Sequence, residues 1–150
     1  MIEHDSSARI LAIALRSPQR GPMREVPSAV AVPDKGLEGD GHVSPERGIT
    51  LLSRERWADA TAELGVELPW QTRRANLLVQ GIDLAAAIGG TLRLGEAVLR
   101  IEGETDPCMV MDRAHYGLKA ALTPNCRGGV HGRVIQGGRI AVGDDVVLIT

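Results

Sequence analysis

The chain has 150 residues, 43% of them hydrophobic and 24% charged, with a formal net charge of −2. That balance suits one folded domain over residues 1–150 and gives no electrostatic reason to bind nucleic acid or an anionic membrane. Only Trp57, Trp70 and Tyr116 are aromatic, too few for a base-stacking face, and no apolar run approaches the ~18 residues of a membrane span.

With 18 glycines and 8 prolines, the core must be built from Val, Ile, Leu and Ala between tight turns, which favours short strands. Two cysteines make no disulfide framework, and the N-terminus lacks a basic region followed by an apolar one. The expected compartment is a reducing cytoplasm.

In chain order, residues 1–8 are polar and expected to be loose. Residues 9–15 form an apolar run of strand length, and residues 26–32 read as a second strand closed by Pro33-Asp34. Gly36-Leu37-Glu38-Gly39-Asp40-Gly41-His42 reads as a loop, its two acids as turn residues. A short strand over 49–52 leads to Ser53, an N-cap for a helix to about Leu64 with Gly65 as its stop and Trp57 and Leu64 on its buried face. Residues 76–80 form another strand, and Asp83 caps a short helix ended by Gly89-Gly90. Residues 91–102 carry the clearest hairpin signal, with Leu92 and Leu94, a Gly95-Glu96 turn, then Ala97, Leu99 and Ile101 alternating. A helical turn or two over 117–122 precedes Pro124. Strands over 129–136, around Ile140 and Val142, and over 146–149 finish the chain. About nine short strands and two or three short peripheral helices predict a mostly-β fold, a closed or partly open β-barrel.

Glu104-Thr105-Asp106-Pro107-Cys108 is the stretch most suggestive of chemistry. Pro107 fixes its own φ and biases Asp106 toward an extended backbone, so the Cys108 thiol leaves a stiff corner. A thiolate is both a nucleophile and a soft metal ligand, and nearby cations favour it. Arg47, Arg73, Arg74, Arg113 and Arg127 are available for that role, whereas Asp106 opposes it. The alternative is a buried structural cysteine acting as a small hydrophobe. Cys126 reads as a loop thiol, with a redox bridge to Cys108 left open. His4, His42, His115 and His131 form no zinc pattern. Arg74-Ala75-Asn76 offers a guanidinium fork and an amide, or else a solvated strand end. Gly128-Gly129 after Arg127 suits a backbone concavity for an anion.

Taken in order over residues 9–149, these fragments resemble the molybdenum cofactor sulfurase C-terminal (MOSC) domain family, as a stand-alone, bacterial-type member. The fragments are the glycine-rich 36–42 loop, Arg47 before a strand, Arg74-Ala75-Asn76-Leu77 and Leu94-Gly95-Glu96-Ala97-Val98-Leu99. Asp106-Pro107-Cys108, Arg127-Gly128-Gly129-Val130 and the 138–146 segment complete them. The resemblance implies a barrel like that of pyruvate kinase and binding of the molybdenum cofactor, a phosphate-bearing pterin. Cys108 is then the molybdenum ligand or persulfide carrier, and Arg47, Arg74, Asn76, Arg127, Gly128, Gly129 and His42 meet the cofactor. The implied chemistry is sulfur transfer or reduction of N-hydroxylated compounds, with an electron-donor or sulfur-donor protein as partner. The alternatives are a non-catalytic cofactor or sulfur carrier and a structural barrel whose site has decayed. Pyridoxal phosphate, which resembles a property of a fused aminotransferase-like domain, is not expected here. Two positions depart from the family pattern: Asp106, where a basic residue often precedes Pro-Cys, and Cys126, where an aromatic is common.

Overall fold

The computed structural model of the chain describes residues 8–17, 21–41 and 44–149. All but the last residue of the expected loose N-terminus, and His42, lie outside them. Among the described residues the fold is mostly β, with an eight-stranded sheet, a three-stranded sheet and short helices.

The chain opens with β1 (Arg9–Leu15), β2 (Arg24–Val26) and β3 (Ser28–Val32). The single strand expected over 26–32 is therefore two. Pro27 has no N–H to offer a ladder, and the chain changes sheets there: β2 pairs with β1, while β3 pairs with β4 (Gly36–Leu37) and β10 (Gly138–Ala141). β5 (Ile49–Ser53) runs straight into α1 (Arg54–Leu64). The Ser53 hydroxyl accepts the Arg56 N–H at 3.2 Å and Gly65 closes the helix in a left-handed conformation, as the sequence signals require. α1 is the crossover to β6 (Leu77–Gln80), which pairs with β5 in parallel; every other ladder among the described residues is antiparallel.

After β6 come α2 (Leu84–Ala87), β7 (Thr91–Leu94) and β8 (Ala97–Glu104), with β7 and β8 forming the expected hairpin. Then follow α3 (Met109–Ala114), α4 (Leu118–Leu122), β9 (Val130–Gln136) and β11 (Val146–Leu148). The larger sheet runs β11-β7-β8-β9-β5-β6-β1-β2. Among the described residues neither sheet closes into a barrel by its ladders, but the start of β1 is stitched to the entry of β11. Ile10 N–H donates to Asp144 O at 3.0 Å, Gly143 N–H to Ile10 O at 2.8 Å and Val146 N–H to Ala8 O at 3.0 Å, around one Arg9↔Asp145 bridge.

Two apolar clusters sandwich the central strands. Ile49 and Leu51 of β5 enter the main core with Ile13, Leu77, Leu99 and Ile101. Leu52, on the other face of β5, joins Trp57, Met111, Leu118 and Leu122 beneath the helices. β5 is thus buried on both faces, which explains its unbroken apolar reading. The helices cover one face at the end of the sheet where β8 delivers the cysteine segment.

Candidate functional site

β8 ends at Glu104, and the following loop is bolted down at Thr105. Its N–H donates to Gly129 O at 2.8 Å, and its carbonyl accepts Arg73 Nη2 at 2.8 Å. Arg73 Nε also donates to Gly128 O at 2.9 Å, so one buried guanidinium joins the cysteine loop to the segment entering β9. Pro107 then turns the chain and Cys108 stands as the N-cap residue of α3 with an extended backbone, φ −127° and ψ −176°. Buried Met111 anchors α3 in the second cluster, while Cys108 remains exposed.

The thiol lies on a cleft of about 220 Å³ lined by Arg16, Arg47, Arg73 and Arg74, and among the described residues no carboxylate lines it. Leu51 and Met111 supply apolar wall. Arg47 ends a 3-10 turn over Pro45–Arg47. Arg74 has a left-handed backbone, φ 62°, and its Nη1 donates to Gly21 O at 3.0 Å. Burial lowers the Arg73 pKa; Cys108 opposes that shift, Arg47 adds to it and Asp106 opposes it. Burial, then Arg47, also lowers the His131 pKa, and the His131 ring meets Thr105 Oγ1 at 3.4 Å. Four guanidinia around one exposed thiol can bind an anion beside it.

Of the residues singled out in the sequence, Cys108, Arg47, Arg74 and Gly128 line this cleft. Asn76 is fully buried behind it: its Oδ1 accepts Thr50 N–H at 3.0 Å and its Nδ2 donates to Ala14 O at 3.2 Å. Arg127 faces the helices, with Nη1 donating to Ala121 O at 3.0 Å and Nη2 2.8 Å from Glu63. That contact holds the Glu63 carboxyl below its usual value. Neither Asn76 nor Arg127 lines the cleft. On its side-chain side Gly128 packs closely on the cysteine loop, where a Cβ would meet Thr105 O at 2.8 Å and Pro107 Cδ at 3.3 Å. Gly129 lies behind it, against β5. Asp106 is exposed and does not line the cleft.

Arg16 was not legible as a site residue. It follows the apolar run of β1, and the only local signal is a cation at the end of a buried strand. Cys126 lies elsewhere, in a separate cleft of about 280 Å³ that also contains Glu55, Asp83 and Leu84. Both cysteines are free thiols.

The matching family profile is described as "MOSC domain" and covers residues 38–147. The chain belongs to the MOSC domain family, which is associated with molybdenum cofactor binding. Its fold is similar to the YuaD protein from Bacillus subtilis, with a TM-score of 0.78, 20% identity and 93% of each chain covered. It is also similar to YiiM from Geobacillus stearothermophilus, with a TM-score of 0.79 and 17% identity over 95% of this chain and 75% of that one. For YiiM from Escherichia coli the TM-score is 0.75 and the identity 19%, over 95% of this chain and 70% of the other. No curated protein matches the chain in sequence. No described helix is long and apolar enough to cross a membrane.

Proposed function

We propose that the arginine-lined cleft binds the molybdenum cofactor, with Cys108 as the protein's sulfur ligand, in sulfur transfer or in reduction of N-hydroxylated compounds. The observation that carries this reading is the exposed Cys108 thiol on a cleft that, among the described residues, four arginines line and no carboxylate does. A soft thiolate suits molybdenum, and planar guanidinium forks suit the cofactor's phosphate. One cysteine supplies a single ligand, so the donor set fits a metal that arrives inside an anionic organic cofactor rather than a bare ion.

When bound, the cofactor supplies the redox chemistry. The chain's own residues hold and orient. Arg73, committed to Thr105 and Gly128, fixes the cysteine loop and keeps a positive charge close to the thiol. Arg47 and Arg74 offer donors to the phosphate, and Leu51 and Met111 give the pterin an apolar wall. An electron-donor or sulfur-donor protein is the partner this chemistry calls for.

Exposure of Cys108 also favours a second reading, a carrier that passes a persulfide sulfur to a partner. Co-expression with cofactor synthesis and metal analysis tests the first reading. Stoichiometric molybdenum that is lost in Cys108→Ser supports it. Sulfur released from Cys108 by cyanide, without metal, supports the carrier. A protein lacking both in either form contradicts both readings.

A further inference from the structure

We propose that Asp40 is a positioning residue for the ligand cleft: its buried carboxylate fixes the Arg16 guanidinium so that Arg16 presents its remaining N–H groups to an oxyanion. The Asp40 side chain has no exposed surface. Its Oδ1 accepts the Arg16 backbone N–H at 2.6 Å and Arg16 Nε at 3.4 Å. Its Oδ2 accepts Arg16 Nη2 at 2.8 Å and Asn76 Nδ2 at 3.1 Å. A carboxylate without water depends on such partners. Two contacts between one guanidinium and both oxygens of one carboxylate set the plane of the fork.

The other side of the pair is free to work. Arg16 lines the cleft with its side chain 22% exposed, and its Nη1 makes no hydrogen bond among the described residues. The frame behind it is closed. Asn76 Oδ1 reaches Arg16 Nη2 at 3.4 Å while it also accepts from Thr50. The chain leaving Asp40 lies directly on Arg16, where a Cβ at Gly41 would sit 3.0 Å from Arg16 O and 3.2 Å from Ser17 O.

Charge and position pull in opposite directions here, and that makes the role testable. By Coulomb's law alone, a carboxylate beside a cationic cleft weakens anion binding, so its removal strengthens binding. If Asp40 positions Arg16, its removal weakens binding despite the added positive charge. This role takes the arginine-lined cleft as the ligand site, and a probe that needs no metal separates it from the cofactor reading.

Inorganic phosphate is titrated into metal-free protein, and binding is followed by calorimetry and by NMR of the arginine Nε–H groups. Asp40→Asn is expected to weaken phosphate binding about tenfold, equivalent to ~1.4 kcal/mol, and to do nothing further in an Arg16→Gln background. If Asp40→Asn fails to fold, Asp40→Glu carries the same comparison, since it keeps the charge but displaces the guanidinium. Unchanged or tighter binding in the single variant overturns the proposal. So does an equal loss in the Arg16→Gln background, which marks a merely structural role, and so does a wild-type protein that does not bind phosphate. If wild type binds phosphate but takes up no molybdenum, the cofactor reading falls and the Asp40 role stands. If molybdenum loads through Cys108 while Asp40→Asn leaves phosphate affinity unchanged, the Asp40 role falls and the cofactor reading stands.

Discussion

Cys108 is exposed on a cleft lined by four arginines, whereas burial, followed by Glu104 and Asp83, pushes the Cys126 thiol up to about 11. Thiol reactions run through the thiolate. At pH 8 only about one part in a thousand of Cys126 is then ionised. Iodoacetamide at pH 8 is therefore expected to label native protein once, at Cys108, and to label Cys126 only in denaturant. Peptide mass spectrometry checks this, and equal labelling of both thiols in native protein contradicts it. Cys108 stood out in the sequence because a proline corner and an isolated thiol are local features. Asp40 did not, because its partners Arg16 and Asn76 are 24 and 36 residues away. Nothing in a glycine-rich loop distinguishes an acid that turns the chain from one that grips a distant guanidinium.

At the level of elements, strands and caps with strong local chemistry were readable. Ser53 and Gly65 bracket α1, and Ala97, Leu99 and Ile101 alternate along β8 into the main core. α3 was not readable: its six residues, Met109-Val110-Met111-Asp112-Arg113-Ala114, show no clear periodicity, and burial of Met111 under α1 and α4 secures it. The β2–β3 break depends on which sheet accepts each half. The entry to β9 is more demanding than its glycines suggested. Gly129 has φ +95°, and a Cβ there would collide with Leu51 O of β5. Gly129→Ala thus combines a left-handed backbone with a clash against a central strand, a cost on the order of 3 kcal/mol. The urea midpoint should fall accordingly, and an unchanged midpoint contradicts the close approach of β9 to β5.

At the scale of the whole molecule, the sequence conveyed the class of fold but not its topology. A mostly-β chain with many glycine turns is compatible with several strand orders. Stitching Ala8 and Ile10 to Gly143, Asp144 and Val146 depends on contacts between opposite ends of the chain. Global stability should also depend on pH in two windows. The lowered His131 pKa means that the fold favours the neutral ring, so the unfolded chain takes up its proton first as pH falls. That stability is present above about pH 6.5, the unfolded histidine value, and is lost below it. Cys126 works at the alkaline end: its raised pKa favours the protonated thiol in the fold, and stability is lost as pH rises from 9.0 to about 11. Denaturant midpoints measured across pH check both limbs. His131→Gln should flatten the acid limb and Cys126→Ala the alkaline one.

The most direct test of Cys108 as the metal's protein ligand is X-ray absorption at the molybdenum edge on protein co-expressed with cofactor synthesis. Wild type is expected to show one more sulfur neighbour than the free cofactor measured under the same conditions. An identical sulfur shell in the two samples contradicts the assignment.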